Sequence, residues 1–438
     1  MPPKLDAALY DEGEVDLVSG PADIRIGDLR NPRLTEFQQR MLDATAGVET
    51  VFDSERVLAA ARERTGLEDF GDPGYRERLD VWTASLAEDA NLSSVGAIGA
   101  FNDLVRYAAN RLRFEDLLSR HPEILEESIE KPIIIIGLPR SGTTHLLNLI
   151  SADRRLRSLP YWESLEPIPS PEERGASRDA DPRLLRCRED FARNDGVLPH
   201  LKAMHHMTPE HVHEEIELQA LDFSSYVAEW TADVPGLRDH YLATDQTASY
   251  GYMKRVLQAL QWLHGPKRWI LKSPQHLEQI GPLVANFPDA TFAVTARDPV
   301  SVITSTVTML AYGSRIRCKH VDLDGLLAYW SDRIETLLRR CVRDRELLPA
   351  AQSIDVLFHE FMADDIGTVE RIFELAGHPM TADARAGFDA YMASNPRGVH
   401  GRVVYDLKAD FGVDPADLRK RFDFYFERFA IRAEVTHG

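Results

Sequence analysis

A glycine-rich loop connects a run of four isoleucines to a leucine-rich stretch in residues 131–150, KPIIIIGLPRSGTTHLLNLI. Gly137 and Gly142 bracket a turn, and the backbone amides at the start of the following helix would be free donors. Anions are favoured at such a helix N-terminus. Arg140 adds a positive charge, and hydroxyl donors come from Ser141, Thr143 and Thr144. The loop therefore predicts a site for a phosphate-like anion.

The same loop departs from the Walker A motif of nucleoside triphosphatases, G-x-x-x-x-G-K-[ST]. Gly137, Gly142 and Thr144 match the motif, but Thr143 replaces the lysine that reaches the β- and γ-phosphates. No aspartate suited to Mg²⁺ clearly ends a later apolar run. A nucleotide triphosphatase is therefore weakened as an interpretation but not excluded, and a purely structural turn is the other alternative.

Two more cationic residues lie at the ends of apolar runs. In TFAVTARDPVSVITS, Arg297 follows the run and Ser305 lies eight residues later, while Lys272 ends the run RWILK. An arginine fork can bind phosphate oxygens, and a serine hydroxyl can donate a hydrogen bond beside it. Ligands of open α/β sheets bind outside the carboxyl ends of the strands. If these runs are strands of one parallel sheet, the three side chains belong to its ligand crevice.

The elements that position these residues change along the chain. From residue 131 onward, the apolar runs IIIIG, RWILK, TFAVTA and IDVLF alternate with amphipathic helical stretches. This alternation predicts an α/β fold with a central parallel sheet flanked by helices. Residues 34 to about 121 show helical spacing instead. We therefore predict an N-terminal arm and helical extension over residues 1–128, and an α/β domain over residues 129–438.

Composition limits the partners of this protein. The 438 residues carry a formal net charge of −19, which argues against nucleic acid because phosphate contacts need clustered cations. No apolar run approaches the ~20 residues of a transmembrane segment. The acidic N-terminus lacks the apolar region of a signal peptide, and three isolated cysteines give no metal or disulfide pattern. We expect a cytoplasmic protein.

Taken together, the motifs resemble those of sulfotransferases that use 3′-phosphoadenosine-5′-phosphosulfate (PAPS). LPRSGTT is similar to the loop that binds the 5′-phosphosulfate in tyrosylprotein and Stf-type bacterial members, and Arg297 with Ser305 resembles their 3′-phosphate site. The resemblance covers residues 129–429. It implies a P-loop-like three-layer fold with PAPS as co-substrate and no metal.

The resemblance extends to further site residues. Lys272 is similar to a strand-end lysine of tyrosylprotein sulfotransferases that contacts the transferring sulfuryl group and the bridging oxygen. The segment SNPRGVHGRVVYDL looks like the late basic loop of bacterial members, which implies that Arg397 and Arg402 contribute to PAPS binding. The pattern differs from the Arg-Lys-Gly loop of the cytosolic members.

Sulfuryl transfer also needs a base for the proton of the acceptor. Glu163 in LPYWESLEP lies nineteen residues after Thr144, and tyrosylprotein sulfotransferases carry their catalytic glutamate at a similar distance. His205 and His206 are the alternative, because cytosolic sulfotransferases use a histidine. They belong to a cluster of five histidines that three glutamates follow. A metal site is disfavoured there because no HExxH motif is present.

The sequence thus predicts a PAPS-dependent sulfotransferase that acts on a hydroxyl or amine of a small-molecule, lipid or sugar acceptor by in-line displacement. Two other functions stay open: a small-molecule kinase with a degenerate Walker A loop, and a non-catalytic binding protein on the same fold. Nothing in the sequence identifies the acceptor, and a homo-oligomer is not excluded.

Overall fold

Nine strands lie in the computed structural model, which describes residues 23–396, 399 and 401–434. They are β1 (Asp23–Ile24), β2 (Ile133–Ile136), β3 (Leu156–Arg157), β4 (Leu159–Pro160), β5 (Val212–His213), β6 (Arg268–Ser273), β7 (Thr291–Ala296), β8 (Ser353–Leu357) and β9 (Arg402–Val403). Five of them form one parallel sheet in the order β3-β6-β2-β7-β8. After β2, the chain adds β3 and β6 on one side of it and then β7 and β8 on the other. The ligand crevice of such sheets lies where the strand order reverses, at the carboxyl end of β2.

Helices account for most of the remaining chain. They are α1 (Glu36–Thr45), α2 (Ser54–Thr65), α3 (Tyr75–Glu88), α4 (Ser94–Arg120), α5 (Thr143–Ser151), α6 (Tyr161–Leu165), α7 (Pro182–Asn194), α8 (Leu201–Met204), α9 (Ile216–Gln219), α10 (Val227–Thr231), α11 (Pro235–Ala243), α12 (Thr247–His264), α13 (Ile280–Asn286), α14 (Pro299–Arg317), α15 (Leu323–Asp344), α16 (Phe358–Ala363), α17 (Asp365–Leu375), α18 (Ala382–Ser394), α19 (Leu407–Phe411), α20 (Pro415–Arg419) and α21 (Asp423–Arg428). Within the described residues, no helix combines the length and the apolar character that a membrane crossing demands.

Both faces of the sheet are covered, which explains the unbroken apolar run of β2. Its four isoleucines are fully buried, and alternate side chains point to opposite faces. Ile134 and Ile136 belong to the core that the N-terminal helices share. Ile133 and Ile135 pack in a second core with residues of α5, α17 and α18. The predicted α/β fold with a flanked parallel sheet is confirmed.

Buried polar contacts join the N-terminal helices to the later chain. Arg111 of α4 is almost completely buried, and its Nη1 lies 2.9 Å from Asp222 Oδ1. Its Nε donates to the Phe70 carbonyl oxygen at 2.7 Å. A buried guanidinium needs such partners, because an unpaired charge in the interior is very costly. Residues 1–22 of the predicted arm lie outside the described residues, and a domain boundary at residue 128 stays a prediction.

The start of α4 packs tightly against the end of α14. Ser93 caps α4 and also binds α14, with its backbone amide 2.8 Å from the Arg317 carbonyl oxygen and its Oγ 2.6 Å from the Ile316 carbonyl oxygen. Gly96 faces the same carbonyl group, and a Cβ atom added there would overlap the Arg317 oxygen. Gly99, one turn later and exposed, has nothing within 4 Å of such an atom.

These two glycines provide a matched test of the helix packing. We expect Gly96→Ala to lower the free energy of unfolding by about 1–3 kcal/mol, because α4 must shift away from α14. Gly99→Ala should raise it by up to ~1 kcal/mol, since alanine favours the helix. Urea unfolding of both variants measures the difference. Equal effects of the two substitutions would contradict this packing.

Candidate active site

The anion loop begins where β2 ends. Gly137 packs so closely on β7 that an added Cβ would overlap Thr295 Oγ1. Gly142, with a φ of 82°, precedes α5 as its N-cap, and no side chain caps that helix. Arg140 has a φ of 62°, a left-handed conformation that is uncommon for a residue with a side chain. The first turn of α5 therefore keeps its amides free of a side-chain cap at the carboxyl edge of the sheet, where anions are favoured.

The hydroxyl groups of the loop have different surroundings. Ser141 is buried, and its Oγ lies 2.6 Å from the Leu138 carbonyl oxygen and 3.0 Å from Thr295 Oγ1. Thr143 is buried as well, whereas Thr144 is half-buried. Ser141 therefore stabilises the turn itself, and Thr144 is the more accessible of the predicted hydroxyl donors.

The two predicted anion-binding segments meet. Arg140 Nε donates to Ser305 Oγ over 2.9 Å, so the loop after β2 contacts α14 directly. Arg297, which follows β7, donates through Nη1 to the Arg140 carbonyl oxygen. Its guanidinium also stacks on Phe358, 3.9 Å from the ring centroid. Residues separated by more than 150 positions in the sequence thus form one cationic group.

A carboxylate occupies the fork of Arg297. Glu434 Oε1 lies 2.6 Å from Arg297 Nε, and Glu434 Oε2 lies 2.7 Å from Nη2. The backbone of Glu434 is held too, because its amide donates to Asp298 Oδ2 at 2.8 Å and its carbonyl oxygen accepts from Arg419. This two-point geometry is the one that arginine also uses toward phosphate. Arg297 is thus oriented to bind an anion.

The late basic segment reaches the loop through a residue that the sequence did not single out. Tyr405 OH lies 3.4 Å from Arg140 Nη2. Arg402 lies in β9, which pairs with β1, and its mostly exposed side chain has Nε 3.4 Å from Asp23 Oδ1. Arg397 lies outside the described residues. A role of Arg397 or Arg402 in binding a donor stays a prediction.

Lys272 lies at the carboxyl end of β6, next to β2. Its side chain is 5% exposed, and Nζ is 3.1 Å from Glu214 Oε1. Its backbone amide donates to Glu215 Oε2 at 2.9 Å. The other oxygen of Glu215 is 2.6 Å from His276 Nε2, and His276 Nδ1 is 2.9 Å from Tyr250 OH. The strand end that carries Lys272 is therefore fixed by a buried hydrogen-bond chain.

The histidine cluster lies beside these cations. Burial, followed by the Arg140 charge, lowers the pKa of His205 to about 3. Burial, followed by Lys272, lowers the pKa of His211 to about 4. His206 is exposed. Both shifted imidazoles are neutral at pH 7, so they add no charge to the site.

Glu163 lies in a different environment from Lys272. It is 2% exposed, and its two oxygens contact Arg157 Nη2 at 2.8 Å and His264 Nε2 at 2.9 Å. Arg157 pairs in register with Trp269, at the amino end of β6 and about 10 Å from Lys272 along the strand. Burial raises the pKa of Glu163, but Arg157 and His264 more than offset this effect and lower the pKa to about 2. Its assignment as the base stays a prediction, and this pairing does not favour it.

Within the part of the chain that the structure describes, no three His, Cys, Asp or Glu side chains group as ligands of a metal. Sequence reasoning missed Tyr405, Glu434 and Phe358 because each lies far along the chain from the residue that it contacts. Two of them had a signal. Phe358 follows directly after β8 at the carboxyl edge of the sheet, and Tyr405 lies within the segment SNPRGVHGRVVYDL that resembles the late basic loop.

A P-loop-like transferase is the class that this fold and site define, with an anion loop after the central strand, Lys272 at the carboxyl end of β6 and Arg297 directly after β7. Residues 132–382, more than half of the chain, match the sulfotransferase family. The chain belongs to that family and is a sulfotransferase, as the sequence predicted. Nothing among these findings favours a kinase.

Solved structures agree with this assignment. Sulfotransferase STF1 from Mycobacterium tuberculosis H37Rv is similar with a TM-score of 0.74 and 26% identity, over 86% of this chain and 99% of that one. Sulfotransferase STF9 from Mycobacterium avium gives a TM-score of 0.77 and 25% identity, over 89% and 98% of the two chains. No curated protein matches the chain.

The buried Glu163 pair predicts a pH-dependent contribution to stability. Because the folded pKa of about 2 lies below the ordinary value of 4.5, the contribution is complete above pH 4.5 and is lost as the pH falls toward 2. Glu163→Gln should lower the free energy of unfolding at pH 7 by on the order of 3 kcal/mol. The difference from the unsubstituted protein should shrink below pH 4.

Urea unfolding at a series of pH values checks this prediction. The exposed Glu49 provides the control, and Glu49→Gln should change stability by less than ~0.5 kcal/mol throughout. A difference for Glu163→Gln that stays constant from pH 7 to pH 3 would show that the carboxylate charge is not what stabilises this region.

Proposed function

We propose that this sulfotransferase moves the sulfuryl group of PAPS to a hydroxyl or amine of a small-molecule, lipid or sugar acceptor. The observation that carries the proposal is the meeting of two anion sites, joined by the 2.9 Å contact between Arg140 Nε and Ser305 Oγ. PAPS carries a phosphosulfate and a phosphate on the 5′ and 3′ positions of one ribose. Two neighbouring cationic sites suit such a molecule.

The donor would be bound at both ends. The amides of residues 142–144, with Arg140 and Thr144, suit the 5′-phosphosulfate, because an uncapped helix start and an arginine lie together there. Arg297 and Ser305 suit the 3′-phosphate, since the arginine fork already takes a carboxylate in that position. Sites of this kind stabilise anionic oxygens without a divalent metal.

Lys272 would act where charge develops. Sulfuryl transfer is mainly a matter of alignment and of stabilising charge on the leaving oxygen. As the acceptor oxygen bonds to sulfur, the bond from sulfur to the 5′-phosphate oxygen breaks and leaves its electron pair on adenosine 3′,5′-bisphosphate. A lysine fixed at the end of β6, beside the anion loop, suits that oxygen.

Binding of adenosine 3′,5′-bisphosphate tests the donor assignment without knowledge of the acceptor. By isothermal titration calorimetry in the presence of EDTA, we expect this nucleotide to bind more tightly than ATP does with Mg²⁺. Arg297→Ala should weaken binding about 10- to 100-fold, since a charged two-point hydrogen bond is lost.

A second arginine serves as the control for this experiment. Arg339→Ala removes a mostly exposed arginine that pairs with Glu335 on α15, and it should leave the affinity unchanged. Tighter binding of Mg²⁺–ATP, or equal affinity in the Arg297→Ala variant, would overturn the assignment of the donor.

Glu434 predicts a second effect on the same equilibrium. A 3′-phosphate that binds Arg297 must replace the Glu434 carboxylate in its fork, so the two anions compete. Glu434→Gln should therefore tighten binding of adenosine 3′,5′-bisphosphate about 2- to 5-fold, as expected for a partly exposed ion pair. Glu427→Gln, at an exposed position, is the matched control. Unchanged or weaker binding in the Glu434 variant would show that the anions do not compete.

A further inference from the structure

Glu214 places a carboxylate directly beside Lys272. Its Oε1 lies 3.1 Å from Lys272 Nζ, and its side chain is 16% exposed. Its Oε2 is buried and has no hydrogen-bond partner among the described residues. A buried oxygen that lacks a donor is costly, and a catalytic role is one of the explanations for such a group in a folded protein. A hydroxyl group bound there would supply the missing donor.

The position of this carboxylate is fixed by its neighbours in the chain. Glu214 directly follows β5, whose two residues pair with the two residues of β4 just before α6 begins. The next residue, Glu215, accepts the Lys272 amide at 2.9 Å and contacts His276 at 2.6 Å. Glu214 therefore lies between a paired strand and a bound carboxylate side chain, which hold it at the strand end that carries Lys272.

Glu163 and Glu214, the two carboxylates considered as the base, differ in their capacity to accept a proton. Both oxygens of Glu163 are occupied by Arg157 and His264, and its pKa is lowered to about 2. Burial raises the pKa of Glu214, and Lys272 offsets only part of that increase. A base with the higher pKa takes a proton more readily from a weakly acidic hydroxyl. The contact of Glu214 with Lys272 and its Oε2, which lacks a hydrogen-bond partner in the described part of the chain, also favour Glu214 as the base.

We propose that Glu214 is the catalytic base of this enzyme and that it takes the proton of an acceptor hydroxyl at Oε2, an inference that rests on the proposed function. The O–H bond of the acceptor breaks, and its proton binds Glu214 as the acceptor oxygen bonds to sulfur. The bond from sulfur to the 5′-phosphate oxygen breaks, and that electron pair remains on the leaving nucleotide near Lys272. The proton then passes from Glu214 to solvent after the products leave.

Paired substitutions distinguish Glu214 from Glu163. The probe is ³⁵S-labelled PAPS, mixed with a small-molecule extract of the cells that produce the protein. Glu214→Gln should reduce sulfuryl transfer at least ~100-fold, the usual effect of removing a general base. Its affinity for adenosine 3′,5′-bisphosphate should stay within about threefold of the unsubstituted protein, since the anion loop is unchanged. Glu163→Gln, compared at equal folded fraction, should retain transfer within tenfold.

Chemical rescue separates a base from a structural carboxylate. Formate added to Glu214→Ala should restore part of the transfer, because it can occupy the space of the missing carboxylate, and it should not improve Glu163→Ala. If melting shows that the glutamine variant does not fold, Glu214→Asp keeps the charge beside Lys272. That variant should transfer at an intermediate rate.

The outcomes separate this inference from the function on which it rests. The role of Glu214 is overturned if the Glu214→Gln variant transfers the sulfuryl group within tenfold of the unsubstituted rate. It is also overturned if only Glu163→Gln loses 100-fold. Either result leaves the sulfotransferase reaction intact. If the unsubstituted protein neither binds adenosine 3′,5′-bisphosphate nor labels any acceptor, the proposed use of PAPS fails, and the role of Glu214 fails with it.

Discussion

The burial of β2 on both faces is the constraint on which the site depends. All four isoleucines are fully buried, so both faces of the sheet must be covered there, and β6 and β7 pair with β2 on either side. Gly137 then allows the chain to leave β2 against the side chain of Thr295. Since Arg297 follows two residues after Thr295, this close approach brings its guanidinium to the backbone of the anion loop.

Local charge, rather than total charge, governs this crevice. The protein as a whole is acidic, with a net charge of −19. Arg140, Arg297 and Lys272 nevertheless lie at the carboxyl ends of three neighbouring strands, on one edge of the sheet. Two of these cations have carboxylate partners, Glu434 and Glu214. Such partners keep buried cations satisfied and orient them. They also set how strongly an incoming anion must compete for each cation.

Much of this arrangement could be predicted from the sequence, because local patterns determine it. The apolar runs at 268–272 and 291–296 lie in strands almost residue for residue, and the loop, Arg297 and Ser305 meet as parallel-sheet topology requires. Helical spacing over residues 34 to about 121 includes α3 (Tyr75–Glu88), but its start could not be located from the sequence, since it lies within a segment rich in Gly, Pro and Asp. Spacing could not distinguish between the carboxylates, because basicity depends on partners such as Arg157 that only the fold brings near.

The order in which the chain folds follows from how far apart the partners of the loop lie. Arg140 reaches Tyr405, which comes 265 residues later, and β9 pairs with β1 from near the start of the described chain. Contacts across long loops form late, because closing such loops costs conformational entropy before any contact forms. During synthesis on the ribosome, the sheet can therefore assemble while the donor crevice still lacks its last wall. Proteolytic susceptibility of residues 401–434 would report the final step of maturation rather than the state of the core.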